Sequence, residues 1–207
     1  MKKIIKNLLL SSLLMLLTTC DNASKSEAPK ESGNTVTIKV FSSLTCPHCA
    51  NFHNQVFENL KDEYIAVGKV VFEHHAFPLD LAALNAEIIL RCKGNGNVDY
   101  SFLSKIYEKQ NKWAIGSDID IINNSIKKIG TNFGLNEKKM NECLDDKKIQ
   151  DQILNSRINS QKKYKISSTP TILINEKKYE GSHNYKEFKK KLKKFLKIMK
   201  FKKIEIN

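Results

Sequence analysis

The chain is poor in the groupings that would make it a metalloprotein, a haem protein or a nucleic-acid binder. Its 207 residues hold five cysteines and five histidines, but only Cys46 and Cys49 form a close cysteine pair. A structural zinc site needs a second such pair, and Cys92 and Cys143 stand far apart with no C-x-x-C partner of their own. A haem attachment motif puts histidine directly after the second cysteine, where this chain has Ala50. His74 and His75 would point to opposite faces of a strand, so they cannot chelate together, and at least one of them belongs in the core. No metal and no cofactor is expected. Aromatic residues are not interleaved with the basic ones as stacking platforms, which argues against nucleic acid as a partner. There is no internal repeat and no low-complexity segment beyond a lysine bias. What remains, 41% hydrophobic and 28% charged, is ordinary globular composition with room for one domain and a sizeable core.

The N-terminus reads as an export signal over residues 1–19. Lys2, Lys3 and Lys6 form its basic start, and the apolar stretch Leu8 to Leu17 is too short to span a bilayer as a stable helix. A transmembrane anchor is the alternative, and the polar Thr18-Thr19 that follow weigh against it. Leu17-Thr18-Thr19-Cys20 resembles a bacterial lipobox, which makes Cys20 a candidate for lipidation. Thr19 stands where Gly, Ala or Ser is usual, so an ordinary cut near Ala23 stays open. Lipidated Cys20 would anchor the protein stably, and Asp21 beside it resembles the residue that retains some lipoproteins at the inner membrane. Residues 20–34 are polar and aperiodic, as in a flexible tether. Net charge is +13; the leader carries three Lys and no acid, so +10 remains without it. The excess is late, with 15 Lys from Lys162 to Lys203 against Glu176, Glu180 and Glu187. Such a run suits either a solvated helix face or attraction to anionic headgroups, worth about 1 kcal/mol per Lys at the surface.

Cys46-Pro47-His48-Cys49 sits where the strand-like run Thr35 to Phe41 gives way to a helix-like one. Two cysteines three apart share one face of a first helical turn, close enough for a short disulfide. Pro47 fits the first helical position, where its missing N–H is no loss. Cys46 then lies at the positive end of the helix, where unpaired N–H groups favour thiolate over thiol, and a protonated His48 would add to that. A readily ionised thiol is a good leaving group, so the disulfide should be easily reduced by another thiol.

Beyond it, Phe52, Val56 and Leu60 form a stripe that would dock on a sheet. Val70-Val71-Phe72 reads as a buried central strand, which makes a βαβ unit with a parallel strand pair. From Asp80 to about Tyr164 helical periodicity dominates. Leu81, Leu84, Ile88 and Cys92 form one stripe, and further helices cover Tyr100 to Gln110, Ile119 to Ile129, Glu137 to Leu144 and Lys148 to Lys163. Thr171 to Asn175 returns as a strand, Glu176-Lys177 turns it, Lys178 to Glu180 pairs back, and a helix runs from Asn184 to about Lys203 with Phe188, Leu192, Phe195, Leu196 and Met199 on one face.

Pro170, immediately before a buried strand, cannot donate to a ladder and marks a strand start or a special turn. Together, Phe41-Ser-Ser-Leu-Thr-Cys46-Pro-His-Cys49, the helical insertion, Thr169-Pro170 and the last helix resemble the DsbA-type thiol:disulfide oxidoreductases over roughly residues 35 to 200. The resemblance implies an α/β architecture, a thioredoxin fold (35–80 and 165–207) with an inserted all-helical domain (81–164). It also implies an oxidase in the periplasm that passes its disulfide to reduced exported client proteins and is restored by a DsbB-like membrane reoxidant.

By matched position, Cys46 is the exposed nucleophile, Cys49 the buried resolving thiol and His48 the stabiliser of the Cys46 thiolate. Pro170 would be cis and face the disulfide, with Thr169 touching the sulfurs and both residues holding the client. Six residues before Cys46, where the family often has an acid, this chain has Val40, so proton transfer at Cys49 must use water or another group; Glu73 on the neighbouring strand is the candidate. Cys92 and Cys143 lie on apolar stripes and are either two buried thiols or, in an oxidising compartment, a structural disulfide. A disulfide isomerase or reductase, and a membrane-tethered chaperone or binding protein with a vestigial motif, are the competing functions. The tether leaves no room for a dimerisation domain, so a monomer is expected.

Overall fold

A computed structural model describes residues 35–93 and 98–204, with side chains described as far as Ile198. The leader, the tether and Cys20 lie outside the described residues, so the export and lipidation expectations are not addressed by the fold. Among the described residues no helix is long and apolar enough to cross a membrane.

Strand β1 (Val36–Ser42) leads through a tight turn into a helix that starts at Cys46. That helix is continuous but changes its winding: α1 (Pro47–Phe52), a π-helical stretch His53–Phe57, α2 (Glu58–Leu60) and a second π-helical stretch Lys61–Ile65. Phe52, Val56 and Leu60, the stripe expected from spacing, are all buried. Strand β2 (Val70–Ala76) then pairs parallel to β1, with Val36 opposite Val70 and Ser42 opposite Ala76, so the strand–helix–strand pattern closes as a βαβ unit. Strand β3 (Thr171–Ile174) lies antiparallel on the other side of β1, and the two-residue β4 (Lys177–Lys178) completes the order β2-β1-β3-β4. Placing β1 and β3 centrally explains their apolar character: every residue of β3 is buried.

Alternation along the strands sends Val36, Ile38, Val40, Val70, Phe72, Ile172 and Ile174 to one face, where they meet Phe52, Val56, Phe57 and Leu60 of the first helix and Phe188 and Leu192 of the last. The last helix, α9 (Tyr185–Ile204), is pinned there by an edge contact between Phe188 and Phe52, with ring centroids 5.6 Å apart, and by a Lys189–Glu63 ion pair. The opposite face carries a smaller core of Phe41, Phe77, Ile166 and Leu173.

The β3–β4 turn falls one residue earlier than the sequence suggests. Asn175 and Glu176 both have positive φ, 48° and 65°, as a two-residue hairpin of this twist requires. Asn tolerates that conformation, and here its side chain also accepts the Thr37 N–H at 2.8 Å. Glu176 is held by Lys39 and by the Tyr164 hydroxyl.

Among the described residues, six helices run between β2 and β3: α3 (Leu81–Arg91), α4 (Tyr100–Glu108), α5 (Gln110–Trp113), α6 (Ile119–Thr131), α7 (Glu137–Asp145) and α8 (Lys147–Tyr164). Five of them begin on an Asp or Asn whose side chain accepts a first-turn N–H: Asp80, Asp99, Asp118, Asn136 and Asp146. Each such cap contributes about 1 kcal/mol. Their shared core contains Ile88, Ile89, Leu90, Phe102, Ile106, Trp113 and Ile126, and Leu44, Cys46, Cys49 and Ala50 from the sheet half join it. Cys92 and Cys143 are bonded within this core, Cα to Cα 5.9 Å. Leu81, expected on the buried stripe of α3, is instead 57% exposed: it is the first residue after the Asp80 cap, and burial begins with Ala83.

Candidate active site

Cys46 occupies the position in α1 that Asp or Asn fills in five of the other helices. It is the N-cap residue, in extended conformation, with Pro47 following. No carboxylate or hydroxyl takes up the first-turn N–H groups, so those of His48 and Cys49 face the Cys46 sulfur. The loop that delivers Cys46 is fixed from both sides. Its N–H donates to the Ser43 carbonyl at 3.1 Å, and the buried Gln110 amide donates to the carbonyls of Leu44 at 2.7 Å and Cys46 at 3.0 Å. Asp80 accepts the Thr45 hydroxyl at 2.6 Å while capping α3, which ties the helical half to the residue before the cysteine.

The two cysteines are free thiols, and Cys46, expected to be exposed, is buried like Cys49 because Leu44 and the helical core pack around the start of α1; the two are held in opposite states. The Cys46 thiol is pulled down to about 5, first by the Cys49 thiol bonding to its sulfur, against the cost of burial, then by the Thr169 side chain and the N–H groups of Cys49 and His48. Cys49 is pushed far above the ordinary thiol range, first by burial and then by the hydrogen bond and charge of Cys46. The pair therefore holds one proton at neutral pH, and it sits on Cys49.

Across from them, the Thr169–Pro170 peptide bond is cis. The Thr169 carbonyl stands 3.5 Å from the Cys46 sulfur, and its side chain lowers both thiols. Residues separated by 123 positions thus meet at one sulfur. His48 is exposed, and what it brings to the sulfur is its backbone N–H.

Three neighbours escaped the sequence reading. His183 precedes α9; its ring stands edge-on to Phe52, centroids 5.5 Å apart, and feels the charges of His48 and Cys46. Gln110 sits on a single-turn helix too short for periodicity to reveal. Tyr107, one turn before it, buries its hydroxyl completely within the fields of Cys49 and Cys46. Beside Thr45, a cleft of about 380 Å3 is lined by Asp80, Leu81, Ala114, Ile119 and Ile122, with Leu79, Ile115 and Ile121 exposed on the same chain segments.

Glu73 does not join this site. Strand alternation turns it, with Lys39 opposite, to the face away from α1, where it bonds His75 at 2.8 Å. The period of two predicts as much once Phe72 is read as core. No group of three or more potential metal ligands occurs among the described residues.

A thioredoxin family model matches residues 31–194. The chain belongs to the thioredoxin family. It is 31% identical over 140 residues to a Rickettsia bellii protein named as a protein-disulfide oxidoreductase, which covers 68% of this chain and 53% of that one. It thus spans about half the length of the Rickettsia relatives it matches. It is 28% identical to disulfide bond formation protein D of Bacillus subtilis, covering 78% of this chain and 73% of the relative. Among solved structures, Wolbachia pipientis α-DsbA1 superposes with a TM-score of 0.72 and 26% identity, covering 81% of this chain and 89% of that one. This thioredoxin-family protein is DsbA-like, and its fold is the thioredoxin fold with an inserted helical domain.

Proposed function

We propose that this DsbA-like protein is an extracytoplasmic thiol:disulfide oxidoreductase that donates the Cys46–Cys49 disulfide to reduced exported proteins. The observation that supports it best is the opposed ionisation of the two thiols. A disulfide whose reduced form contains a stabilised thiolate is driven towards reduction, and so oxidises other thiols.

In this reading a client thiolate attacks the Cys46 sulfur, the Cys46–Cys49 bond breaks, and a Cys46–client disulfide forms. A second client thiol displaces Cys46, which leaves as the stable thiolate. Cys46 is the nucleophile of the return reaction and Cys49 the resolving thiol. Pro47 and the His48 N–H shape the thiolate site, and His48 when protonated adds charge to it. Thr169 and Pro170 hold an extended client segment beside the sulfur, and the apolar cleft next to Thr45 receives client side chains flanking the attacked cysteine. A DsbB-like membrane protein reoxidises the pair. The protein works in the periplasm as a monomer, anchored through Cys20 if that residue is lipidated.

Equilibration of the dithiol with glutathione tests the proposal. A donor is expected to be more oxidising than thioredoxin, whose potential is about −270 mV; a value at or below that would make the protein a reductant. In refolding of a reduced client, oxidation should vanish with Cys46→Ser, whereas a chaperone with a vestigial motif would keep its effect.

A further inference from the structure

The cleft beside Thr45 continues past Leu81. A second cleft of about 380 Å3 shares Asp80 and Leu81 with it, and its other walls are Pro78, Leu79, Leu84 and Leu154, with Arg157. Leu79 and Leu81 are more than half exposed, and Leu154 on α8 is exposed as well. Aliphatic side chains left in water along two joined clefts have the character of a binding groove.

Two charged groups line the second cleft, and they differ in how they are occupied. The Asp80 carboxylate already accepts the Thr45 hydroxyl and the Ala83 N–H. Arg157 has no such partner. Its guanidinium carbon lies 4.7 Å from the centroid of the Phe77 ring, and its Nε is buried with no hydrogen bond. The chain has two arginines, and the other, Arg91, has a Glu87 oxygen 3.5 Å from its Nε. Stacking on Phe77 fixes the Arg157 fork without using its N–H groups. A cationic donor that gives up water and gains no acceptor is costly, and the group that satisfies a planar fork of such donors is a carboxylate. Thr45 lines the first cleft and directly precedes Cys46, so a chain bound with its cysteine at the Cys46 sulfur can run past Thr45 and Leu81 to Arg157.

We propose that the joined clefts bind an extended client segment whose aliphatic side chains lie over Leu79, Leu81 and Leu154 and whose Asp or Glu carboxylate pairs with Arg157. This assignment rests on the disulfide-exchange reading above and names its client class: exported chains with an acidic residue among aliphatic ones close in sequence to a cysteine. Binding there adds no chemical step. It raises the share of encounters that bring the client thiolate to the Cys46 sulfur, so Arg157 is a specificity residue that touches neither sulfur.

The test uses the oxidised, full-length protein and reduced two-cysteine peptides with amidated C-termini. Each peptide places Glu among leucines at a different distance from one cysteine, and each has a twin with Gln in place of Glu. Wild type should oxidise the best-placed Glu peptide with a kcat/KM about fivefold or more above that of its twin, the gain lying in KM. In Arg157→Gln that ratio should fall to about one, and in Arg157→Glu it should fall below one. The ratio is taken within one preparation, so a misfolded fraction cancels. Equal rates for every Glu and Gln pair in wild type would overturn the proposal. A preference that survives Arg157→Gln would overturn it too, because it would come from the general positive charge of the protein.

Should the variants fail to fold, arginine modification of wild type by phenylglyoxal, mapped by mass spectrometry, decides. The Glu peptide with serine for cysteine should protect Arg157 and its Gln twin should not; equal modification would overturn the assignment. Protection that rises with protein concentration alone would put a second copy of the chain in the cleft and overturn the client reading. A wild-type protein that oxidises none of the peptides, nor glutathione, would sink the exchange reading itself and this assignment with it, whereas oxidation without preference sinks the assignment alone.

Discussion

The molecule carries two cysteine pairs, and they differ in everything but residue type. Cys46 and Cys49 are three apart at a helix N-terminus, free, with one thiol pulled down to about 5 and the other pushed up. Cys92 and Cys143 are 51 residues apart, bonded, and enclosed by the helical core. The first pair meets the first-turn N–H groups of His48 and Cys49 and the Thr169 side chain. The second meets aliphatic side chains, where a thiolate would find nothing to stabilise it. Surroundings, more than spacing, separate a reactive pair from a clamp.

Removing each pair should break the protein in a different way. Cys46→Ser is expected to abolish disulfide transfer, measured as oxidation of a reduced client peptide, while leaving the fold intact. The double replacement Cys92→Ala with Cys143→Ala should do the reverse. Freeing a loop of that length costs about 4 kcal/mol in the chain-entropy model, visible as a lower denaturant midpoint, with transfer per folded molecule retained. Lost transfer in the double variant would show that the second pair is more than a clamp.

That contrast was only partly legible in the sequence. Helical periodicity marked α3, α4, α6, α7 and α8, and the structure adds an Asp or Asn cap at the start of each. The Cys46 cap was equally local. Arg157 was not, since an arginine on α8 looks like one more solvated charge until Phe77 is brought against it. Glu73 drew attention only because it lies near the site in strand order; the period of two sends it to the other face. Gln110, on a single-turn helix, leaves no periodic trace, and His183 reaches the site through packing between elements far apart in the chain.

The ionisation split also separates oxidised from reduced protein. A thiol with a depressed pKa in the fold stabilises the reduced form fully above the ordinary thiol value, about 8.5, and loses that contribution as pH falls through about 5. The disulfide form has no such group. The stability of reduced relative to oxidised protein should therefore rise with pH across that window, measured by denaturant unfolding of each form; a flat difference would mean that the thiolate gains nothing from folding.

Thr169→Val tests one contributor. Losing its side-chain interaction with the Cys46 sulfur should move the thiol upward and make the disulfide less oxidising, read from the glutathione equilibrium. The smallest expected effect is that of Asp80→Ala. It removes the α3 cap and the Thr45 contact for about 1 kcal/mol of stability, while the Cys46 titration stays nearly where it was because Gln110 still holds the loop.

Direct titration of the Cys46 thiolate, by its ultraviolet absorbance or the pH dependence of alkylation, bears most closely on the whole account. Half-ionisation near pH 5 with Cys49 still protonated in alkali is the expected result. A midpoint near that of free cysteine would contradict it.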